Sequence, residues 1–159
     1  MFDRIILGAV SGIIAGIAMG LISMTLHTVK ICKLCIIAIG GGILSGQQME
    51  GYNVYGLILA WLVHLVLSAA LGILIVIMLE YFGTKYHVLK GAGLLTLVYL
   101  ANIGLIAPLR GVFPNNQDFF DLLLMLLYHI FFGSLASFLF VKYENNDNNA
   151  LDVDYRKAT

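Results

Sequence analysis

The sequence predicts an all-α integral membrane four-helix bundle, and three observations predict it. Hydrophobic residues make up 60% of the 159 residues and charged residues 11%, against about 45–50% and about 25% in an average soluble chain. The mean hydropathy is +0.94, more apolar surface than a water-soluble fold of this size can hide. The charged residues are also spaced so as to leave four long uncharged windows. An ionised side chain at the bilayer centre costs at least ~2.5 kcal/mol, so such windows mark where hydrocarbon lies. At roughly 20 residues per crossing, the chain holds four spans, short connections and a tail. Residues 1–143 are expected to form the membrane domain.

The first window, Ile5–Leu26, lies between Arg4 and Lys30. It runs past signal-peptide length without an A-x-A-like cleavage signal and is expected to be a retained helix. Its Gly8, Gly12, Gly16 and Gly20 recur every four residues, which puts them in one strip on one face. Missing side chains let another backbone approach closely, which drives helix association in lipid. The partner of this strip is either a helix of the same chain or the first helix of another subunit.

Next comes Cys35–Leu44, apolar but too short to cross, with a Gly40-Gly41-Gly42 run that weakens a helix. An interfacial or re-entrant segment packed on the bundle is expected there. The second window, Val54–Leu79, is bounded by Glu50 and Glu80; the third, Gly91–Leu109, by Lys90 and Arg110; the fourth, Leu122–Val141, by Asp121 and Lys142. Pro108 is expected to end or kink the third helix, with Arg110 a snorkelling anchor at its mouth. Tyr52, Tyr55, Tyr81, Tyr86, Phe113 and Tyr143 fall near the span ends, where amphipathic rings prefer to sit. Residues 144–159 are rich in Asn and Asp, too polar to fold alone, and read as a cytoplasmic tail.

Basic residues set the orientation expected in the cell membrane. With the N-terminus inside, the cytoplasmic side carries Arg4, Lys85, Lys90, Lys142, Arg156 and Lys157, and the outer side Lys30, Lys33 and Arg110. Both termini are therefore expected in the cytoplasm. The zero net charge and the absence of a basic cluster give no reason to expect a nucleic-acid partner. The lipid bilayer and other membrane subunits, copies of this chain included, are the partners expected.

An internal repeat is also legible. An offset of 65 aligns Leu62-Val63-His64 with Leu127-Tyr128-His129, Ser68 with Gly133 and Gly72 with Ser137; an offset of 83 aligns Gly8 with Gly91. The difference of 18 is an insertion in the first loop. Two spans per half imply two parallel helical hairpins about an axis along the membrane normal, unless chance similarity between apolar helices accounts for the match.

Two features carry chemistry. At ~1.5 Å per residue, His64 and His129 lie roughly 10–12 Å below the outer boundary, with Asn102 at roughly 12 Å. Tyr128 adjoins His129 and Ser68 sits one turn past His64. This polar layer has three readings: a hydrogen-bonded network fixing helix register, an ion, proton or solute pathway, or a b-type haem ligated by His64 and His129. Small residues at Ala60, Ser68, Gly133 and Ser134 would leave room for the macrocycle. The second feature is Cys32-Lys33-Leu34-Cys35. Two cysteines are too few for a disulfide scaffold but make a CxxC pair that is redox-active, a metal site with His27, or unreactive.

The glycine strip, the loop insertion and the WLVHLVLSAALG and LLYHIFFGSLAS helices resemble small four-helix membrane proteins of bacteria. The likeness covers the spans and not the tail, and the cysteine pair departs from it. No activity is assigned to that group, so the resemblance implies no catalytic residue. The function expected is that of a non-catalytic membrane subunit, homo-oligomeric or part of a larger complex. The alternatives are a haem- or quinone-binding electron-transfer anchor using His64 and His129, and a small conduction pathway.

Overall fold

A computed structural model describes residues 2–33, 35–45, 54–109 and 118–158. Arg110, Phe113, Tyr52 and Leu34, which the sequence singles out, lie outside the described residues. The elements in order are α1 (Phe2–Thr28), α2 (Ile36–Ser45), α3 (Val54–Phe82), α4 (His87–Ala101), a π-helical turn (Asn102–Ile106), α5 (Ala107–Leu109) and α6 (Phe119–Ala158). Among the described residues there is no strand. Four stretches are long and apolar enough to cross a membrane: Asp3–Thr28, Val54–Phe82, His87–Leu109 and Phe119–Asn145. Each contains one of the four uncharged windows; two extend beyond theirs at both ends and two at one end. A helix satisfies its own backbone, so it continues through the interfacial zone where charged ends meet headgroups and water.

The helix ends explain the connections. Lys30 adopts a left-handed conformation (φ 62°), its N–H donating to the His27 carbonyl and that of Ile31 to the Leu26 carbonyl, each at 3.0 Å. This is a Schellman closure with lysine where glycine is usual. At the other side, Gly83 (φ 75°) turns the chain out of α3. Lys90 reaches back to cap that helix, its Nζ donating to the carbonyls of Phe82 and Gly83 at 2.6 and 2.7 Å.

Lateral order across the bundle is α3, α1, α6, α4, with α2 laid against α3 and α1. The glycine run does not prevent α2 from forming, because Ile36, Ile37 and Ile39 are buried on the bundle and tertiary packing outweighs propensity. The third span runs through Pro108 to Leu109, the last described residue of that stretch. The proline lacks an N–H for the i−4 carbonyl, and the chain absorbs the gap in the turn immediately before it, where the Ala107 N–H bonds the Asn102 carbonyl. The Asn- and Asp-rich stretch after Lys142, where composition predicts no element, continues α6 to Ala158. Adding residues to an existing helix avoids the nucleation cost that an isolated segment faces. Near the chain's N-terminus Arg4 ion-pairs with both Glu80 and Glu144, tying the start of α1 to the end of α3 and to α6.

Candidate functional site

All four glycines of the α1 strip face α3 or α2 of the same chain. A side chain at Gly8 would meet Val76 and the Gly72 carbonyl, and one at Gly12 the Ser68 carbonyl and the Gly72 backbone. At Gly16 it would meet the Ser68 side chain, and at Gly20 Trp61 and Ile37. The intrachain alternative is therefore the one the structure contains, and the backbones touch where side chains are missing. The second hairpin has the same device: Gly91 abuts Gly133 and the Ser137 hydroxyl, and Gly133 abuts Leu95.

The two registers seen in the sequence are obeyed by these contacts. Gly8 against Gly72 has its counterpart in Gly91 against Ser137, and Gly12 against Ser68 in Gly133 against Leu95. Gly16 with His64 corresponds to Tyr99 with His129. Symmetry fails between the halves. Helices α1 and α6 pack closely, whereas their counterparts α4 and α3 barely meet.

Within the bundle, His64 is buried and its Nε2 donates to the Gly16 carbonyl at 2.9 Å. A carbonyl only accepts, so this nitrogen carries a proton. The Trp61 ring stands edge-on to the imidazole with centroids 5.8 Å apart. His129 is likewise buried, its Nδ1 donating to the Met125 carbonyl at 2.8 Å, with the Tyr99 ring 5.4 Å from it. Tyr99 donates in turn to the Leu122 carbonyl at 2.9 Å.

The remaining members of the expected polar layer disperse. Asn102 opens the π-helical turn, is half-buried, and makes no hydrogen bond to either imidazole. Depth along a helix axis fixes a residue's height and not its azimuth, and Asn102 keeps the azimuth of α4, its N–H still bonding the Val98 carbonyl. Ser68 packs into the gap left by Gly16. Tyr128 turns away from His129 toward the cysteines. Ser68 fills the space at Gly12 and Gly16, and Gly133 lies against Gly91 and Leu95. Ligation of a haem through His64 Nε2 would require breaking its bond to Gly16, whereas the bond of His129 runs through Nδ1. The three hydrogen bonds are separate: that of His64 ties α3 to α1, that of Tyr99 ties α4 to α6, and that of His129 stays within α6.

The cysteines sit in a buried polar cluster. Cys32 and Cys35 are each 4% exposed, in the connection that leads from α1 into α2. Cys35 precedes α2, its carbonyl accepting the Ile39 N–H at 3.1 Å. The Ser23 hydroxyl accepts the Ile36 N–H at 3.0 Å and points to the Cys35 sulfur at 3.9 Å. From α6, Tyr128 directs its hydroxyl toward Cys32 and Ser23, though not in the alignment of a well-formed hydrogen bond. Burial pushes the Cys32 thiol above its ordinary range, and Tyr128 partly offsets this. Asp121 completes the group. Its Oδ1 accepts the Lys33 N–H at 3.0 Å, while the Lys33 ammonium pairs with exposed Asp118. No set of three or more metal-ligating side chains gathers among the described residues.

Asp121 and Ser23 are members of this centre that motif reading misses. The signal was present: Asp121, Met125, Tyr128 and Phe132 recur at helical spacing and are all buried, so the acid lies on the inward face of α6.

No protein-family model, curated protein or solved structure matches the chain.

Proposed function

We propose that this chain is a non-catalytic, multi-pass component of a membrane assembly and that α4 is the helix that receives its partner. The observation that carries this reading is the poor cover of α4. Only 17% of its apolar window is buried, against 33% to 39% for the other spans. Its uncovered face, Leu89, Gly93, Leu97 and Leu100, continues to Gly104, and a side chain at Gly93 or Gly104 would meet nothing. Glycine inside a helix costs about 1 kcal/mol relative to alanine. Against lipid that cost has no return, whereas against a second helix it permits close backbone approach. The α1 strip, filled within the chain, is not needed for this role.

The assembly is placed in the cell membrane with both termini in the cytoplasm, on the strength of the basic residues on that side. The matched contacts of the two hairpins support reading them as copies of one ancestral unit, with α2 belonging to the loop insertion. Crosslinking in membranes and mass measurement in mild detergent test the proposal. Wild type should run as an oligomer or with co-purifying membrane subunits, and Gly93→Leu with Gly104→Leu should release a folded monomer. A wild-type protein that is monomeric and alone, or variants that assemble unchanged, would refute it.

A further inference from the structure

The centre around Cys32 has one feature that packing does not explain. Asp121 is 2% exposed, and its Oδ2 has no hydrogen-bond partner. A buried carboxylate oxygen without a donor is costly, commonly 1–3 kcal/mol and more when charged. It persists here near the Cys32 thiol, whose proton the negative carboxylate helps to hold. The neighbouring Tyr128 hydroxyl is also buried without a well-formed bond.

We infer that Cys32 and Cys35 form a dithiol–disulfide exchange site whose oxidising substrate is a small-molecule disulfide, with Asp121 as the base that takes the Cys32 proton. The chemistry follows from the placement. A thiol attacks a disulfide only as its thiolate, and burial holds the Cys32 thiol in its protonated form. Asp121 Oδ2 is the unpaired acceptor of the cluster, not hydrogen-bonded to the sulfur at rest, and takes the proton as the site opens, while the Tyr128 hydroxyl is the donor placed to steady the sulfur as it becomes negative. The Cys32 thiolate attacks one sulfur of the incoming disulfide. A mixed disulfide forms, and the first leaving thiolate takes the proton from Asp121. The Cys35 sulfur, three residues on, then attacks Cys32. The Cys32–Cys35 bond forms, the second leaving thiolate departs, and it takes the Cys35 proton. Two protein thiols are oxidised and one external disulfide is reduced to two thiols. Val29, Ile31 and Lys33, flanking Cys32, are exposed, so an incoming disulfide reaches the site from that side.

The titratable groups facing Cys32 are Asp121 and Tyr128 from α6 and Cys35 from its own loop. Detergent-purified full-length protein, treated with oxidised glutathione and followed by alkylation and intact mass, gives the test. Wild type should lose two hydrogens as the internal disulfide forms, and Cys35→Ser should stop at one glutathione on Cys32. Asp121→Asn, which keeps an acceptor for Lys33, should slow oxidation at neutral pH about tenfold or more, with Asp121→Glu restoring much of the rate. The wild-type protein carries a test of its own. Its rate should change far less than tenfold per unit between about pH 6 and 8, whereas a thiol without a base follows its thiolate fraction and rises about tenfold per unit. Failure to form the internal disulfide, an Asp121→Asn rate equal to wild type, or a tenfold rise per unit in wild type would each overturn the assignment.

Discussion

His64 and Gly16 are joined across the α1–α3 seam by a 2.9 Å hydrogen bond from Nε2 to the carbonyl oxygen. The imidazole is thus a cross-link between helices whose backbones are already in contact one turn away, at Gly12 and Ser68. Replacing His64 by Leu should lower stability by about 0.6–1.7 kcal/mol, the range of interhelical hydrogen bonds in membranes, as read from unfolding in mixed micelles. Purified wild type should be colourless. A Soret band abolished by His64→Ala would restore the haem reading that this geometry disfavours.

The seam itself should be intolerant of added volume. At Gly12 a methyl group would strike backbone rather than a side chain that can swing aside, so Gly12→Ala should cost about 1–3 kcal/mol or more. Gly40 in α2 faces open space, and Gly40→Ala should be neutral or stabilising by up to about 1 kcal/mol. Thermal unfolding of the two variants side by side checks the contrast.

Arg4 holds Glu80 and Glu144 together while its guanidinium lies 5.7 Å from the centre of the Phe140 ring. Its side chain is 36% exposed, so solvent and salt weaken these pairs. A double-mutant cycle on Arg4 and Glu144 should return a coupling of about 0.2–1 kcal/mol. The coupling should shrink on going from low to high salt, because the Debye length contracts to about 3 Å at 1 M.

Pro108 accounts for the π-helical turn before it. With Pro108→Ala the missing N–H returns, and Asn102–Ile106 should relax to ordinary α-helix, turning Leu105 and Ile106 relative to α6. Spin labels near Leu109 and on α6 should report a changed separation. An unchanged distance would mean that packing, not proline, sets the turn.

The spans were legible because the cost of a charge in hydrocarbon is large and local, so Arg4, Glu80, Lys90 and Lys142 bracket helices almost by themselves. The contacts between spans were partly legible. The glycine spacing marked a close-packed face without naming its partner. Azimuth was the hidden variable. The residue count puts Asn102, His64 and His129 at one depth, yet Asn102 makes no hydrogen bond to either imidazole. The thiol centre was least legible, because Asp121 reads as a span boundary when its neighbours in sequence are considered and as a buried acid only when the inward face of α6 is known.

The unequal contacts between the halves have a mechanical meaning. Each hairpin is zipped along its own glycine seam, while the two hairpins are held to each other chiefly by α1 lying on α6. The link between them is the four-residue connection Gly83–Tyr86, capped by Lys90. Severing the polypeptide there should leave two separately inserting pieces that find each other in the bilayer, so that residues 1–83 and 84–159, expressed as independent chains, co-purify as one particle.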